Sequence, residues 1–175
     1  MRIRVATKDD FDAVKQLNMR AFDKSEREIV SKLATDLLLE DTTPDTFSLI
    51  AESEDVIGHI GFSPVGLTDG GNVRAYILAP LSVSPTHQRQ GIGTKLIRAG
   101  IDRLSDSGVN ILIVYGDPEY YGQFGFNAET AAHFIPPYKL QYEFGWLALK
   151  LSDVDIFSNN IKLTCVESLS HSDLW

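Results

Sequence analysis

The sequence predicts a mixed α/β fold, in which an open sheet is covered by helices on both faces. Helical and strand-like patterns alternate along the 175 residues, and alternation of this kind is typical of layered sheets. The continuous apolar run at residues 111–115 is characteristic of a strand buried on both faces. Because no linker or repeat divides the chain, we expect one domain over residues 1–175, with a core to about residue 150 and an extension over residues 152–175.

The first elements are a short strand and two amphipathic helices. Ile3 and Val5 lie in the strand, and Thr7 with Asp10 forms a short relative of the capping box at the start of the first helix. Ser25 and Glu28 repeat this capping pattern before the second helix. The apolar stripes of the two helices recur at helical spacing: Phe11, Val14, Leu17, Ala21 and Phe22, then Ile29, Val30, Leu33, Leu37 and Leu38.

The middle of the chain is predicted to be a set of strands. Residues 47–51 and 56–62 form a hairpin about a polar turn at residues 52–55. The turn signal at residues 69–72 leads into a long strand over residues 73–83. Pro80 interrupts this strand, and since proline lacks the amide donor we expect a bulge or a lost neighbour there.

A third helix and further strands follow. Leu96, Ile97, Ile101 and Leu104 line one face of the helix, and Gly108 ends it at the C′ position. The buried strand at residues 111–115 comes next, followed by a short helix and by strand-like segments within residues 140–151. Residues 152–175 show little periodicity and are predicted to form a loop with one edge strand, over residues 161–166.

Composition excludes several classes of protein. The net charge of −8 argues against a nucleic-acid partner, which requires a basic face, and is compatible with steering of a cationic amine. Cys165 is the only cysteine, so it cannot form an intramolecular disulfide or a four-cysteine zinc site. No apolar run reaches the roughly 20 residues of a membrane span. From this we expect a cytoplasmic protein without a membrane partner.

The most informative segment joins the 73–83 strand to the third helix. Gln88, Arg89, Gly91 and Gly93 lie where the helix opens, and glycine lets the backbone approach a ligand closely. A helix N-terminus offers unpaired amides and a partial positive charge, which can bind a pyrophosphate. Arg89 can add a charge-assisted contact. The residues alone therefore predict a phosphate-bearing ligand at this turn.

Two common phosphate-binding motifs do not fit this turn. A P-loop requires lysine directly after its second glycine, whereas Lys95 follows Thr94. A dinucleotide fingerprint requires a third glycine at the position of Leu96. The pattern that remains is Gln/Arg-x-x-Gly-x-Gly over residues 88–93.

With the preceding strand, this pattern resembles motif A of the GNAT acetyltransferases. A second segment supports the resemblance, because Tyr121 is followed four residues later by Gly125 and Phe126, as in the second signature of that family. The wider run over residues 116–126 resembles the YhbS-like branch of predicted acetyltransferases. The resemblance covers about residues 1–150, and the two motifs occur in the expected order and spacing.

The resemblance implies acetyl-coenzyme A as the cosubstrate and a primary amine of a small molecule or peptide as the acceptor. Backbone groups of Leu81 and Val83 would pair with the pantetheine arm. Tyr121 would contact the cofactor and protonate the departing thiolate, and the Val83 amide would polarise the carbonyl. The pyrophosphate would be held by backbone amides of the turn, which comprises Gln88, Arg89, Gln90, Gly91, Ile92, Gly93 and Thr94.

Three residues remain open as the general base. Glu28 is favoured, and Glu26 or His59 could serve instead. His133 and His171 have no companions at metal-ligand spacing, so no metal is predicted. A homodimer is common among the resembling proteins, although no residue here specifies one. A regulatory module that binds an acyl-coenzyme A without catalysis is the alternative function.

Overall fold

A computed structural model describes residues 1–175, which divide into two compact units. The first unit comprises Met1–Ser63 and Ala79–Asp102, and the second comprises Pro64–Leu78 and Arg103–Trp175. The helices are α1 Phe11–Ala21, α2 Arg27–Leu39, α3 Ile92–Asp106, α4 Pro118–Gly122 and α5 Ala128–Ala131. The strands are β1 Arg2–Val5, β2 Phe47–Glu52, β3 Val56–Thr68, β4 Ala75–Val83, β5 Ile111–Tyr115, β6 Phe134–Ile135, β7 Trp146–Lys150 and β8 Ile161–Thr164.

The sheet of the first unit is antiparallel where β1, β2 and β3 pair. Ile3 lies opposite Ala51, and Ile50 lies opposite His59. At the end of β4, the amide of Ser84 donates to the carbonyl of Ile57 at 2.8 Å. The hairpin predicted between β2 and β3 is confirmed, although β3 continues beyond its predicted end at residue 62 to Thr68.

Helices cover both faces of this sheet. Val14 of α1, Ala34 of α2 and Ile50 of β2 form one buried cluster. A Cβ built on Gly58 would meet Ile92 and Leu96 of α3 at 2.9 Å. Because side chains alternate along a strand and Ile50 shares a face with His59, α3 covers the face opposite to the one that α1 and α2 cover. The predicted two-sided covering is therefore confirmed within this unit.

The two predicted helix caps differ in outcome. The Thr7 amide donates to the Asp10 carboxylate at 2.7 Å, so the capping box is present, but it caps the 3₁₀ turn Lys8–Asp10 that precedes α1. The cap at Ser25 is wrong, because α2 begins at Arg27 with Glu26 as its N-cap. Ser25 instead donates through its hydroxyl to Asp23 at 2.6 Å. The Ser25 hydroxyl is therefore bonded to the Asp23 carboxylate and does not cap α2. Glu28 consequently has no partner for a capping box.

The second unit contains the parallel pair β4–β5. Ala75 to Leu78 pair with Ile111 to Val114, and the ladder ends before Pro80. This confirms the predicted loss of a neighbour at the proline. On its other side, β5 pairs antiparallel with β7, with Ile113 opposite Ala148.

The last strand has more partners than the sequence predicts. β8 pairs antiparallel with Gly66 to Thr68 of β3 and parallel with β6, so it is not an edge strand. Ile161 and Leu163 are buried on one side of this strand.

Trp175 packs against the rings of Tyr115, Tyr138 and Trp146, with ring centroids 6.1 to 6.3 Å apart. The extension therefore packs as part of the second unit. None of the helices has the length and apolar character required to cross a membrane.

Candidate active site

The turn between β4 and α3 has an exposed and unusual backbone. Pro85–His87 forms a single 3₁₀ turn, and α3 begins at Ile92. Between them, Arg89 and Gly91 have φ values of 61° and 79°, which lie in the left-handed region that favours glycine. A Cβ on Gly91 would have no atom within 4 Å. The turn is therefore open to its surroundings rather than covered by side chains.

The amides at the start of α3 have the arrangement that the sequence predicts. The first main-chain bond of the helix runs from the Lys95 amide to the Gly91 carbonyl at 3.0 Å. The amides of Ile92, Gly93 and Thr94 precede that bond and have no acceptor within the helix. They lie at the positive end of the helix dipole. This geometry can hold an anion through backbone groups alone.

Side chains of the turn mainly hold its shape. The Gln88 amide group donates to the Val83 carbonyl at 3.3 Å, and that of Gln90 donates to the Thr86 carbonyl at 3.2 Å. Arg89 is exposed at the apex of the turn. Since the glutamines are engaged locally, Arg89 is the charged side chain of the turn and is available to an anion.

A contact that sequence analysis missed fixes the start of α3. Ile92 is 5% exposed and lies over Gly58 of β3. A side chain at Gly58 would push against Ile92 and Leu96, which it would approach within 2.9 Å. Gly58 is the sequence feature that could have predicted this contact, because an isolated glycine in a strand often marks the close approach of another element.

Tyr121 belongs to the second unit, on the short helix α4. Asp117 caps this helix by accepting from the Glu119 amide at 2.9 Å, and the Tyr121 amide donates to the Asp117 carbonyl at 2.9 Å. The Tyr121 ring packs edge-on against Tyr120 at 5.1 Å and Phe126 at 5.7 Å. Burial raises the pKa of the Tyr121 hydroxyl well above its usual value of 10, so the hydroxyl keeps its proton at neutral pH.

Gly116 determines where the Tyr121 ring lies. It begins the 116–126 run that resembles the YhbS-like branch, but its contact with the ring is visible only in the structure. A Cβ on Gly116 would overlap the edge of that ring. Gly116 also donates its amide to the Gly145 carbonyl at 2.9 Å. The absence of a side chain therefore lets the ring of Tyr121 lie directly against the end of β5.

The three candidate bases lie in different surroundings within the first unit. Glu28 is exposed in the first turn of α2, and Glu26 is exposed at its N-cap. His59 is completely buried, and neither ring nitrogen has a hydrogen-bond partner. Burial lowers the pKa of His59 to about 4. A buried imidazole that resists protonation is a poor general base, whereas the Glu28 side chain is exposed to solvent.

The burial of His59 predicts a loss of stability in weak acid. The unfolded chain takes up a proton near pH 6.5, whereas the folded chain does so only near pH 4. The free energy of unfolding should therefore fall as pH drops through this window, by about 2 kcal/mol at pH 5. Denaturant titrations at pH 7, 6 and 5 measure this loss.

The matched variant is His59→Leu, which removes the titrating group and its unpartnered nitrogens. Its stability should fall less steeply between pH 7 and pH 5, and the difference between the two curves isolates the histidine. The contribution of Asp10, whose pKa the Arg4 guanidinium lowers to about 2, is lost only at lower pH. Parallel curves for the two proteins would show that His59 accepts a proton in the folded state.

Comparison with known proteins identifies the class. A model of the acetyltransferase (GNAT) domain matches residues 2–128. The chain therefore belongs to the GNAT family of acetyltransferases, as the two motifs predict. It is 34% identical over 136 residues to the uncharacterized N-acetyltransferase YhbS of Escherichia coli K12, which is 76% of each protein. It is 33% identical over 126 residues to the uncharacterized N-acetyltransferase YjhQ of the same strain, covering 70% of this chain and 67% of YjhQ.

Solved structures confirm the predicted fold. The crystal structure of YhbS from Escherichia coli in complex with CoA matches with a TM-score of 0.80 at 24% identity, covering 97% of this chain and 92% of that one. A GNAT family acetyltransferase from Brucella melitensis in complex with acetyl-CoA matches with a TM-score of 0.64 at 29% identity, covering 91% and 93%. The eight-stranded mixed sheet with its helices is thus the GNAT fold.

Proposed function

We propose that this protein transfers the acetyl group of acetyl-CoA to a primary amine of a small molecule or peptide. The open turn before α3 carries the proposal, because Arg89 and Gly91 have left-handed backbones that expose the helix amides. The similar protein from Brucella melitensis was crystallised with acetyl-CoA. Backbone amides over residues 88–94 would hold the pyrophosphate, and Leu81 and Val83 would pair with the pantetheine arm.

The residues suggest a direct transfer. The neutral amine nitrogen attacks the acetyl carbon, the bond from carbon to sulfur breaks, and the amine loses a proton. The Val83 amide would stabilise charge on the carbonyl oxygen, and Tyr121 would give its proton to the departing thiolate. The Tyr121 hydroxyl stays protonated across the neutral range, so it can donate a hydrogen bond to the developing thiolate, although its raised pKa makes it a weaker acid than an ordinary tyrosine. Glu28 remains our proposal for the base, acting through a water.

The test of this function is an assay of thiol release from acetyl-CoA against amines of several classes. Acetylation of at least one class, with the product identified by mass, is the expected result. Tight cofactor binding without acetylation of any amine would instead favour the non-catalytic module. The cytoplasmic location and a homodimer stay predictions from the sequence.

Replacing Arg89 with alanine should weaken binding of acetyl-CoA about tenfold. A charge-assisted hydrogen bond to phosphate contributes roughly 1.5–3 kcal/mol, which exposure of the turn reduces. Calorimetric titration of the free protein with acetyl-CoA measures the change. Arg98→Ala is the control, since Arg98 is also exposed but lies on α3 beyond the turn. Equal affinity in the Arg89 variant and the parent would exclude Arg89 from the site.

A further inference from the structure

A pocket of the second unit lies in the segment that joins β6 to β7. Its volume is about 530 Å³, which lies within the range of small-molecule sites. Most of its lining is apolar or aromatic, and two charged residues complete it. The residues that matter here are Pro136, Pro137, Tyr138, Lys139, Glu143 and Trp146.

The aromatic walls are held in place before any ligand arrives. The indole of Trp146 donates to the Phe134 carbonyl at 2.9 Å, and the residue is 7% exposed. Tyr138 packs against Trp175, whose indole donates to the Leu169 carbonyl at 3.1 Å. The ring of Trp175 also lies 6.1 Å from that of Trp146. Binding would therefore require little ordering of these side chains, which favours affinity.

The backbone that carries Glu143 is fixed in a similar way. The Tyr142 amide donates to the Tyr115 hydroxyl at 2.8 Å, and the Gly145 amide donates to the Tyr142 carbonyl at 3.0 Å. A side chain at Gly145 would press against the Tyr115 ring and the Gly116 carbonyl at 3.0 Å. The fixed backbone at Tyr142 and Gly145 thus holds Glu143 at the pocket.

The aromatic faces of the pocket and the charge of the whole protein indicate the sign of the ligand. Glu143 and Lys139 are both exposed, line the same pocket and form no ion pair. The Glu143 carboxylate is therefore available to a cation and the Lys139 ammonium to an anion, so these two charges alone do not decide the sign. Aromatic faces also attract an ammonium group through cation–π contact, and the net charge of −8 adds attraction at long range. The aromatic faces and the net charge thus favour a cation, and Glu143 is the group of the pocket that can pair with it.

We propose that this pocket binds an amine that carries an aromatic ring, with the ring against Tyr138 and Trp146 and the ammonium near Glu143. Contact between aromatic rings contributes roughly 0.5–1.5 kcal/mol beyond area burial, which favours a ring over an alkyl chain. The identification of this ligand as the acetyl acceptor rests on the proposed function. The binding itself does not depend on it.

Intrinsic fluorescence is a direct readout, because the chain has two tryptophans and both Trp146 and Trp175 belong to this aromatic cluster. We would titrate the protein, without acetyl-CoA, with phenethylamine, 2-phenylethanol, butylamine and 3-phenylpropionate. Phenethylamine should bind at least tenfold more tightly than the alcohol, which has the ring without the charge, and than butylamine, which has the charge without the ring. Strongest binding by the carboxylate would show that Lys139 determines the sign, and equal weak binding would overturn the pocket.

Glu143→Gln separates the charge from the shape of the pocket. It should weaken phenethylamine binding three- to tenfold and leave 2-phenylethanol unchanged. Glu129→Gln, an exposed carboxylate on α5 outside the pocket lining, should change neither. Unchanged phenethylamine affinity in the Glu143 variant would overturn the assignment of the cation.

The two proposals fail in different ways. If phenethylamine binds through Glu143 but is never acetylated, the pocket stands and the acceptor role fails. If some amine is acetylated with the same kinetics by the Glu143→Gln protein, and no aromatic amine changes the fluorescence, the transferase stands and the pocket inference fails.

Discussion

Tyr121→Phe is expected to lower kcat at least tenfold with little effect on the affinity for acetyl-CoA. The change removes one hydroxyl and retains the ring, whose contacts with Tyr120 and Phe126 are edge-on packing. The fold of the segment should therefore survive, and the loss should reflect the missing proton donor. Steady-state kinetics with any amine found to be acetylated, together with calorimetric titration of acetyl-CoA, separates the two quantities.

Tyr120→Phe is the matched control. Tyr120 lies next in the chain, is partly exposed and packs on both Tyr121 and Phe124. Its variant should keep kcat within about twofold of the parent, since the hydroxyl is not assigned to the chemistry. Equal losses in both variants would indicate a packing role for the pair, and an unchanged kcat in Tyr121→Phe would remove Tyr121 as the acid.

A second variant, Gly116→Ala, tests the role of the same hydroxyl through the residue that positions the Tyr121 ring. Gly116→Ala would place a methyl group where the Tyr121 ring lies, so the ring must move. We expect a fall in kcat comparable to that of Tyr121→Phe, again with little change in cofactor affinity. In the parent, the raised pKa of Tyr121 predicts no loss of activity from its ionisation below pH 10. An alkaline decline near pH 8 would have to arise from another group.

The order of elements and the open turn before α3 could be predicted because their signals are local. The glycines at 91 and 93 follow a strand and open a helix, so one short segment contains the whole motif. The β4–β5 ladder ends before Pro80 for an equally local reason, the missing amide donor. The prediction that Ser25 caps α2 was wrong for a reason that is also local, because Asp23 offers a closer acceptor for the Ser25 hydroxyl.

The features that the sequence did not reveal depend on contacts between distant residues. β8 pairs with both β3 and β6, and no pattern within residues 161–164 specifies those partners. The aromatic pocket depends on Trp175 meeting Trp146, 29 positions earlier in the chain. Alternation along β3 places His59 on one face, but its complete burial depends on the elements that cover that face. Gly116 likewise becomes meaningful only when the ring of Tyr121 is seen against it.

Gly100→Ala is expected to destabilise the first unit by about 2 kcal/mol, despite alanine being the better helix former. Gly100 lies in α3 directly over Phe62, and an added methyl group would overlap the ring. Phe62 is fully buried and stacks on Phe47 with ring centroids 5.1 Å apart. Because the ring is held on its other side, the helix must lift or the ring must leave its packed position.

Denaturant titration measures this loss, and Gly122→Ala is the control, since a Cβ there would meet nothing within 4 Å. The same substitution in a Phe62→Leu background should cost at least 1 kcal/mol less, because the smaller side chain leaves room for the methyl group. An equal cost in both backgrounds would show that overlap with Phe62 is not the cause.

The Gly100→Ala variant also links the packing of α3 to the turn that we propose holds the cofactor. Gly58 lies under the start of α3 and Gly100 lies further along it, so contacts at two points set the height of the helix above the sheet. If Gly100→Ala lifts the helix, the amides of residues 92–94 move with it, and acetyl-CoA should bind more weakly although no group near the turn has changed. Unaltered cofactor affinity in a destabilised Gly100→Ala protein would show that Gly58 alone positions the turn.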